Sequence, residues 1–329
     1  MKRLLTGDRP TGHLHLGHYV GSLKNRVAFQ DKYESYIMVA DVQALTDNFD
    51  NPKKVNENVL KVVEDNLACG IDPDKSTIFL QSLIPEIAEL TVFFANLVSM
   101  ARLERNPTVK DEVKQKDKFK DSLPLGFFMY PVSQAADILV VKGEIVPVGE
   151  DQLPHIEQTR EIARKFNNIY GNVFPEPKGF VGDTARLVGL DNNAKMSKSL
   201  NNAIYLADSS DVVEKKVMGM YTDPNRVRAT DPGKVEGNPV FIYHDIFNSD
   251  KEKVEELKAR YREGKVVDVE VKKELISAIN GFLEPVRERR VKYAGNDKLL
   301  TEILMDGTKR ARKVAKETMK EVRESMRLF

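Results

Sequence analysis

The segment that decides the fold is Arg3-Leu4-Leu5-Thr6, which is followed by a turn rich in glycine and proline at residues 7–12 and by His15-Leu16-Gly17-His18. The first four residues predict a short apolar strand, and a helical pattern runs from about residue 17 to residue 33. Backbone N–H groups at a helix N-terminus attract phosphate, and glycine permits a close approach. We therefore expect a phosphate-sized loop between the first strand and the first helix.

Strand and helix patterns continue to alternate beyond this segment. Further strands are predicted at residues 35–40, 77–81 and 145–148, and amphipathic helices at residues 55–69, 87–102 and 152–167. Alternation of this kind indicates an α/β fold with a parallel sheet. A lysine-rich stretch at residues 107–121 has few apolar residues, so we expect a mobile excursion there.

After the Lys195 region the strand signals fade and helices dominate. Helical patterns cover residues 211–220, 251–263, 269–286 and 299–326. We therefore predict two domains. Residues 1–205 form a Rossmann-like domain with an inserted helical segment, and residues 206–329 form an all-helical region.

Composition excludes several classes of protein. The 329 residues are 41% apolar, which suffices for a substantial core, and the net charge of +1 argues against a surface that is basic throughout. A single cysteine, Cys69, excludes a disulfide framework and a Cys-rich metal site, and fits a reducing cytoplasm. The chain has neither an apolar run of about 20 residues nor a signal-peptide pattern at residues 1–12, so we expect a cytoplasmic protein that does not span a membrane.

Two short motifs carry residue types suited to phosphate chemistry. His15 and His18 can donate hydrogen bonds to a charged oxygen, although a histidine pair at this spacing can also be structural. Far along the chain stands Lys195-Met196-Ser197-Lys198-Ser199, flanked by asparagines. Its two lysines and two hydroxyls can clamp a departing pyrophosphate, whereas in isolation such a loop is usually just solvated.

Together these motifs resemble the two signatures of class I aminoacyl-tRNA synthetases. Within that class the chain is similar to the bacterial tryptophanyl enzymes at Val146-Pro147-Val148-Gly149-Glu150-Asp151-Gln152, at His155-Ile156-Glu157 and from Tyr130-Pro131 to Ala135-Ala136-Asp137. The similarity extends over nearly the whole chain. It implies an ATP-dependent, AMP-forming ligase that joins L-tryptophan to tRNA(Trp) through tryptophanyl-adenylate.

The resemblance also implies a set of ATP-binding residues. Mainly backbone contacts are implied for the first loop, with charged side chains on the triphosphate and magnesium carried by the nucleotide. The residues are Arg9, Pro10, Thr11, Gly17, His18, Gly149, Glu150, Asp151, Leu187, Lys195, Met196, Ser197, Lys198 and Ser199. Catalytic roles are implied for His15, His18, Lys110, Lys195 and Lys198, and no dedicated metal site is needed.

For tryptophan, the resemblance points to Asp137 as the acceptor of the indole N–H, since that group only donates and a buried carboxylate binds it strongly. The alternative for Asp137 is a residue on a helix face that pairs with a lysine. Leu5 and Gly7 would line the pocket from the first strand, and Tyr130 and Gln152 would hold the ammonium and carboxylate groups. Gln134 and Gln43 depart from the commoner bacterial pattern, so their roles in the pocket are left open.

Three other functions share part of this sequence pattern. A tyrosyl-tRNA synthetase shares both motifs, but its pocket usually has a tyrosine on the first strand, where this chain has Leu5. A small nucleotidyltransferase would not need over a hundred helical residues after the Lys195 loop. A silent RNA-binding paralogue would have lost His18 or a lysine of that loop, and all are present.

The helical region implies two partners. Basic residues of the last helix would contact tRNA, or be solvated and paired with nearby acids: Lys309, Arg310, Arg312, Lys313, Lys316, Lys320, Arg323 and Arg327, with Arg287, Arg289 and Arg290 upstream. Relatives are homodimers. The apolar helix at residues 84–100 is a candidate for the interface, and burial in the subunit's own core is the alternative.

Overall fold

The computed structural model describes residues 1–115, 124–182, 187–192, 196, 200–223, 226, 228 and 230–329. The chain divides into two compact units. Unit 1 comprises Met1–Gly12, Ser22–Asp183 and Tyr293–Phe329, and unit 2 comprises His13–Gly21 and Thr184–Lys292.

Unit 1 contains a parallel sheet of five strands. They are β1 (Arg3–Asp8), β2 (Glu34–Val39), β3 (Ser76–Leu80), β4 (Ile145–Pro147) and β5 (Lys178–Phe180), and their order across the sheet is β3-β2-β1-β4-β5. Parallel sheets are covered on both faces, so their strands are nearly continuous apolar runs, as Leu4, Leu5, Tyr36 and Ile37 illustrate. The predicted α/β, Rossmann-like architecture is confirmed. All four predicted strands are present, and β5 was not predicted.

Fourteen helices surround or follow the sheet in the described part of the chain. In order they are α1 (Leu16–His18), α2 (Lys24–Phe29), α3 (Asp41–Ala44), α4 (Pro52–Ala68), α5 (Pro85–Ala95), α6 (Met100–Glu104), α7 (Pro107–Gln115), α8 (Leu125–Val140), α9 (Leu153–Tyr170), α10 (Ser210–Met218), α11 (Pro239–Phe247), α12 (Lys251–Arg262), α13 (Asp268–Val291) and α14 (Asp297–Ser325). A π-helical turn, Tyr19–Leu23, separates α1 from α2, and 3-10 turns lie at Gln81–Leu83 and Glu150–Gln152.

Two helix predictions were wrong in extent, and part of the predicted mobile excursion is a helix. The pattern at residues 17–33 forms two short helices joined by the π-helical turn, because apolar periodicity does not distinguish such a turn from a regular helix. The pattern at residues 87–102 forms α5 and α6, since the Ser99 side chain accepts the Arg102 N–H and starts a new helix. The stretch at residues 107–121 begins with a helix, α7, anchored by the buried Val109, and residues 116–123 lie outside the described part.

The last helix, α14, belongs to unit 1 and packs along the edge strand β3. The Thr308 Oγ1 accepts the N–H of Leu80 at 3.1 Å, and a Cβ at Gly307 would stand 1.9 Å from the Ile78 carbonyl oxygen. Ala311, Ala315, Met319 and Val322 enter the same apolar core as Phe94 of α5. The helix therefore covers a sheet edge that would otherwise offer unpaired main-chain groups.

The compact units divide the chain at different places from the predicted boundary at residue 205. Unit 2 takes in Thr184–Lys292, and the final segment returns to unit 1 because α14 packs on β3. Unit 2 is built on α13, which contacts α10 and α11. Its buried Lys272 donates to the carbonyl oxygens of Met218 and Met220 and thereby fixes the chain that follows α10.

Candidate active site

The strand order reverses at β1, which pairs with β2 on one side and β4 on the other. In open parallel sheets, ligands bind outside the carboxyl ends of the strands at this kind of switch point. The carboxyl end of β1 leads into Gly7 and Asp8, and that of β4 leads to Gly149. Residues predicted for tryptophan and for part of the ATP therefore follow the two strands that flank the switch point.

Asp137 lies on α8 with 1% of its surface exposed. Burial raises the pKa of this carboxyl to about 7, and hydrogen bonds from Gln81 and Gln43 act in the opposite direction. The alternative prediction, an aspartate on a helix face that pairs with a lysine, does not match the structure, in which the side-chain amides of Gln43 and Gln81 contact the Asp137 carboxylate.

Gln81, which was not among the predicted site residues, contacts Asp137 directly. It lies at the start of the 3-10 turn after β3, is 2% exposed, and donates from Nε2 to Asp137 Oδ1 at 2.8 Å. Gln43 Nε2 contacts Asp137 Oδ2 at 3.5 Å and the Tyr130 carbonyl oxygen at 3.3 Å. Gln43, whose role was left open, therefore lies beside Asp137.

Tyr130 belongs to a chain of hydrogen bonds that links α7, α8 and α9. Its hydroxyl donates to Glu112 Oε2 at 2.8 Å and lies 3.2 Å from His155 Nε2, and burial raises its pKa. Burial also lowers the pKa of His155 to about 4, so this imidazole is neutral at pH 7. Its Nδ1 lies 3.3 Å from Asn106 Nδ2. Neither His155 nor Glu112 was among the predicted site residues, although His155 was part of the motif.

The other residues predicted for tryptophan lie in unit 1 as well. Leu5 is buried on β1, and Gly7 stands exposed at the end of that strand. Tyr130, Gln134 and Asp137 follow one another at i, i+4 and i+7 on α8 and so share a face. The Gln152 amide donates to Asp151 at 3.3 Å.

Part of the residue set predicted for ATP is also in unit 1. The Arg9 guanidinium pairs with Asp47 at 2.8 Å, and Thr11 N donates back to the Arg9 carbonyl oxygen, which closes a tight turn around the buried Pro10. Lys110 is exposed on α7, and Thr108 of the same helix donates to the Asp151 carbonyl oxygen at 2.7 Å. The structure thus joins the helix that carries Lys110 to the Gly149-Glu150-Asp151 segment.

The histidine motif lies in unit 2, where it pairs with the chain that follows the lysine motif. Leu16 N donates to the Ile204 carbonyl oxygen and Leu206 N donates to the Leu14 carbonyl oxygen, both at 2.9 Å. A Cβ at Gly17 would stand 3.3 Å from the sulfur of Met196, which is buried. The first motif and the methionine of the second therefore meet at Gly17.

His18 has a defined tautomer when it is neutral. Its Nδ1 accepts the N–H of His15 at 3.2 Å, so the proton is on Nε2, which is then a donor. The two imidazole rings lie 3.8 Å apart. Leu187 is buried in unit 2, and Lys195, Ser197, Lys198 and Ser199 lie outside the described residues.

The described residues contain neither a metal-binding cluster nor a membrane-spanning helix. No group of three or more His, Cys, Asp or Glu side chains is placed to hold a metal ion. None of the described helices combines the length and apolar character required to cross a membrane.

Comparison with known proteins identifies the family. The model of the class I tRNA synthetases (W and Y) matches residues 1–284. A tryptophan–tRNA ligase of Clostridium longisporum is 57% identical over 328 residues, covering 98% of this chain and 96% of the relative. One from Streptococcus pneumoniae is 53% identical over 333 residues, covering 99% and 97%.

A solved structure gives the same result. The tryptophanyl-tRNA synthetase of Campylobacter jejuni, complexed with ADP and tryptophan, superposes with a TM-score of 0.85 at 36% identity and covers 99% of this chain and 100% of that one. These matches span the sheet, both motifs and the helical region. The chain belongs to the class I tRNA synthetases of the W and Y family.

Proposed function

We propose that the chain is a tryptophan–tRNA ligase that works in the cytoplasm. The observation that carries the proposal is the buried Asp137, aligned on α8 with Tyr130 and Gln134, in a chain more than 50% identical to tryptophan–tRNA ligases over nearly its whole length. In the first step the tryptophan carboxylate attacks the α-phosphorus of ATP. The bond to the β-phosphate breaks, and pyrophosphate leaves as tryptophanyl-adenylate forms.

The residues of this chain have separate tasks in that step. His18 Nε2 and the lysines at 195 and 198 would meet the charge that grows on the phosphates, and Lys110 would reach the triphosphate from α7. Gly149, Glu150 and Asp151 would contact the nucleotide at the end of β4. Magnesium enters as part of the ATP substrate. The ribose hydroxyl of the tRNA terminus then attacks the adenylate carbonyl, and AMP leaves.

Leu5 supports tryptophan over tyrosine as the substrate. A phenol both donates and accepts, so a tyrosine pocket needs a second polar partner beside the aspartate, and a missing partner costs a factor of about 10⁴ in selectivity. Leu5 is buried and apolar on β1, where such a partner would stand. An indole N–H only donates, and Asp137 satisfies it alone.

For tRNA, the proposal separates the basic residues of α14 into two groups. The arginines are engaged within unit 1, since Arg310 pairs with Asp306, Arg312 with Glu86 and Arg323 with Glu89. The exposed Lys309, Lys313, Lys316 and Lys320 recur every three or four residues, within an arc of roughly 60° of the helix. We call these four residues the lysine row.

The lysine row is a candidate surface for tRNA phosphates. Of the acids in the described part of the chain, Glu324 contacts Lys320 at 3.8 Å, and none lies within ion-pair distance of Lys309, Lys313 or Lys316. Arg287, upstream, is not such a cation, because it contacts the Asp208 carbonyl oxygen and the side chains of Asn280 and Glu284. We therefore propose that the tRNA-binding region, which lies after residue 205, includes the lysine row.

A homodimer is also part of the proposal. Phe94 and Leu90 of α5 are buried in the core of unit 1, whereas Val92 and Met100 are more than half exposed. Exposed apolar residues thus remain on both α5 and α6, within the segment predicted as an interface, and such residues are typical of surfaces that associate.

The test is exchange of labelled pyrophosphate into ATP with each of the twenty amino acids in turn. We expect exchange with tryptophan alone. The chain contains no tryptophan, so the fluorescence of bound substrate reports binding independently of catalysis. Exchange with tyrosine, or binding of tryptophan without exchange, would contradict the proposal.

A further inference from the structure

We propose that Gln81 positions Asp137 for indole recognition, occupying Oδ1 so that Oδ2 faces the substrate and selects for the ring N–H. The inference rests on the proposed function, in which Asp137 receives the indole. It assigns a specificity-determining role to a residue that does not itself contact the substrate.

The orientation of the Gln81 amide is determined by its other contact. Gln43 N donates to Gln81 Oε1 at 3.0 Å, and a main-chain N–H can only donate. The oxygen of the amide must therefore face α3, and the nitrogen must face Asp137, which removes the usual ambiguity of glutamine side chains. Gln81 is thus a donor to Asp137 that cannot turn around without losing both contacts.

The two oxygens of Asp137 are not equivalent. Oδ1 accepts from Gln81 Nε2 at 2.8 Å, a normal length, whereas Oδ2 meets Gln43 Nε2 at 3.5 Å, which is beyond the usual range of 2.7–3.2 Å. Gln43 Nε2 also lies 3.3 Å from the Tyr130 carbonyl oxygen and can keep that contact. Oδ2 is therefore the oxygen able to accept an indole N–H.

Gln81 also favours the ionised form of Asp137, the form that accepts most strongly. Burial raises the pKa of Asp137 to about 7, the hydrogen bonds from Gln81 and Gln43 lower it, and the charge of Asp41 on α3 raises it. Affinity for tryptophan should be present above this pKa and lost as the pH falls through it. Removal of the Gln81 donor raises the pKa, so the loss should then occur at a higher pH.

The experiment compares Gln81→Met with the parent in pyrophosphate exchange. The second substrate is the tryptophan analogue in which sulfur replaces the indole N–H. We expect the KM for tryptophan to rise about tenfold or more with kcat nearly unchanged, and the preference for tryptophan over the analogue to fall by a similar factor. The pH at which the tryptophan KM rises should move upward.

Gln30→Met is the matched control. Gln30, at the C-terminal end of α2, likewise uses both ends of its amide: it donates to the Gly70 carbonyl oxygen and accepts the Asp72 N–H, with no contact to Asp137. The control should keep the parent's substrate preference and pH profile. If Gln81→Met does not fold, Gln81→Ala removes the same donor without adding a charge beside Asp137, and it should give the same shifts.

The outcomes separate this inference from the proposed function. If Gln81 variants keep the parent's preference and pH profile while Asp137→Asn loses the preference, the inference is wrong and the function stands. If the Gln81 variants raise the KM for tryptophan and for the analogue by the same factor, Gln81 has only a structural role, and the inference is also overturned. If the parent itself fails to activate tryptophan, the proposed function fails first.

Discussion

His18 is prepared as a hydrogen-bond donor by the main chain beside it. Because Nδ1 accepts the His15 N–H, the proton of the neutral ring is on Nε2 without any need for a neighbouring carboxylate. Gly17, next to it, has Met196 within van der Waals reach of any added Cβ. The donor therefore lies where the two motifs meet.

This arrangement predicts a specific defect in His18→Ala. The rate of adenylate formation should fall by about 10²-fold, because a donor aimed at developing negative charge acts mainly in the transition state. Single-turnover measurement of pyrophosphate release gives the rate, and tryptophan fluorescence gives the affinity for substrate. An unchanged rate of adenylate formation, combined with weaker tryptophan binding, would show that His18 acts on tryptophan and not on the phosphates.

Residues such as His18 and Asp137 were singled out as candidates because each stands in a local motif. Gln81 could not, since its partner Asp137 is 56 positions away and no spacing rule connects them. Tyr130 was predicted, but not its bonds to Glu112 and His155, because contacts between helices depend on how the helices pack. Local signals thus identify candidate residues such as Asp137, and the side chains that contact these candidates appear only in three dimensions.

The packing of α14 on β3 depends on one small residue, Gly307. Gly307 brings the helix against the backbone of β3, and a Cβ would stand 1.9 Å from the Ile78 carbonyl oxygen and 2.8 Å from its carbon. Both obstacles are main-chain atoms of a paired strand, so they cannot turn aside as a side chain would. The contact therefore leaves no room for any other residue.

Gly307→Ala should destabilise the protein by about 3 kcal/mol or more, the upper range for overpacking. Urea unfolding followed by far-UV circular dichroism measures this change. The control is Gly281→Ala on α13, where an added Cβ would meet nothing within 4 Å, and it should stabilise by about 0.5–1 kcal/mol. If Gly307→Ala leaves the free energy of unfolding unchanged, α14 can shift on β3 to make room for the added Cβ, and the prediction is wrong.

Strand prediction succeeded where the apolar run is continuous and failed where no such run exists. Buried strands such as β2 and β3 were found to within one or two residues, since both faces of each are covered and their apolar runs are continuous. The three-residue β5, Lys178–Phe180, contains a glycine and offers no such run. α11 was missed despite the Asn238-Pro239 pair, whose cap could have identified it.

Over the whole molecule, 51 basic and 50 acidic side chains nearly cancel, so binding of a large polyanion must depend on local surfaces. The lysine row is such a surface on unit 1. Its four side chains span about 16 Å along α14, and the arginines of the same helix are turned toward acids of α5 and of α14 itself.

Replacing all four residues of the lysine row with alanine should raise the KM for tRNA several-fold and reduce the salt dependence of tRNA binding, because phosphate contacts release counterions. Tryptophan activation without tRNA should be unaffected. The control removes the same charge elsewhere on unit 1, at the exposed Lys24, Lys32, Lys53 and Lys178. If the control variant raises the KM for tRNA as much as the lysine-row variant does, the effect comes from net charge and not from the lysine row.

On the ribosome, β3 is synthesised long before the helix that covers it, α14. Leu80 leaves the ribosome 228 residues before Thr308, which at about 5–20 residues per second is a delay of roughly 11–46 s. Throughout that interval the edge of β3 lacks its cover, and a neighbouring nascent chain can pair with it. The speed of translation, and the chaperones that meet the unfinished chain, therefore help to decide how much of this protein reaches its native state.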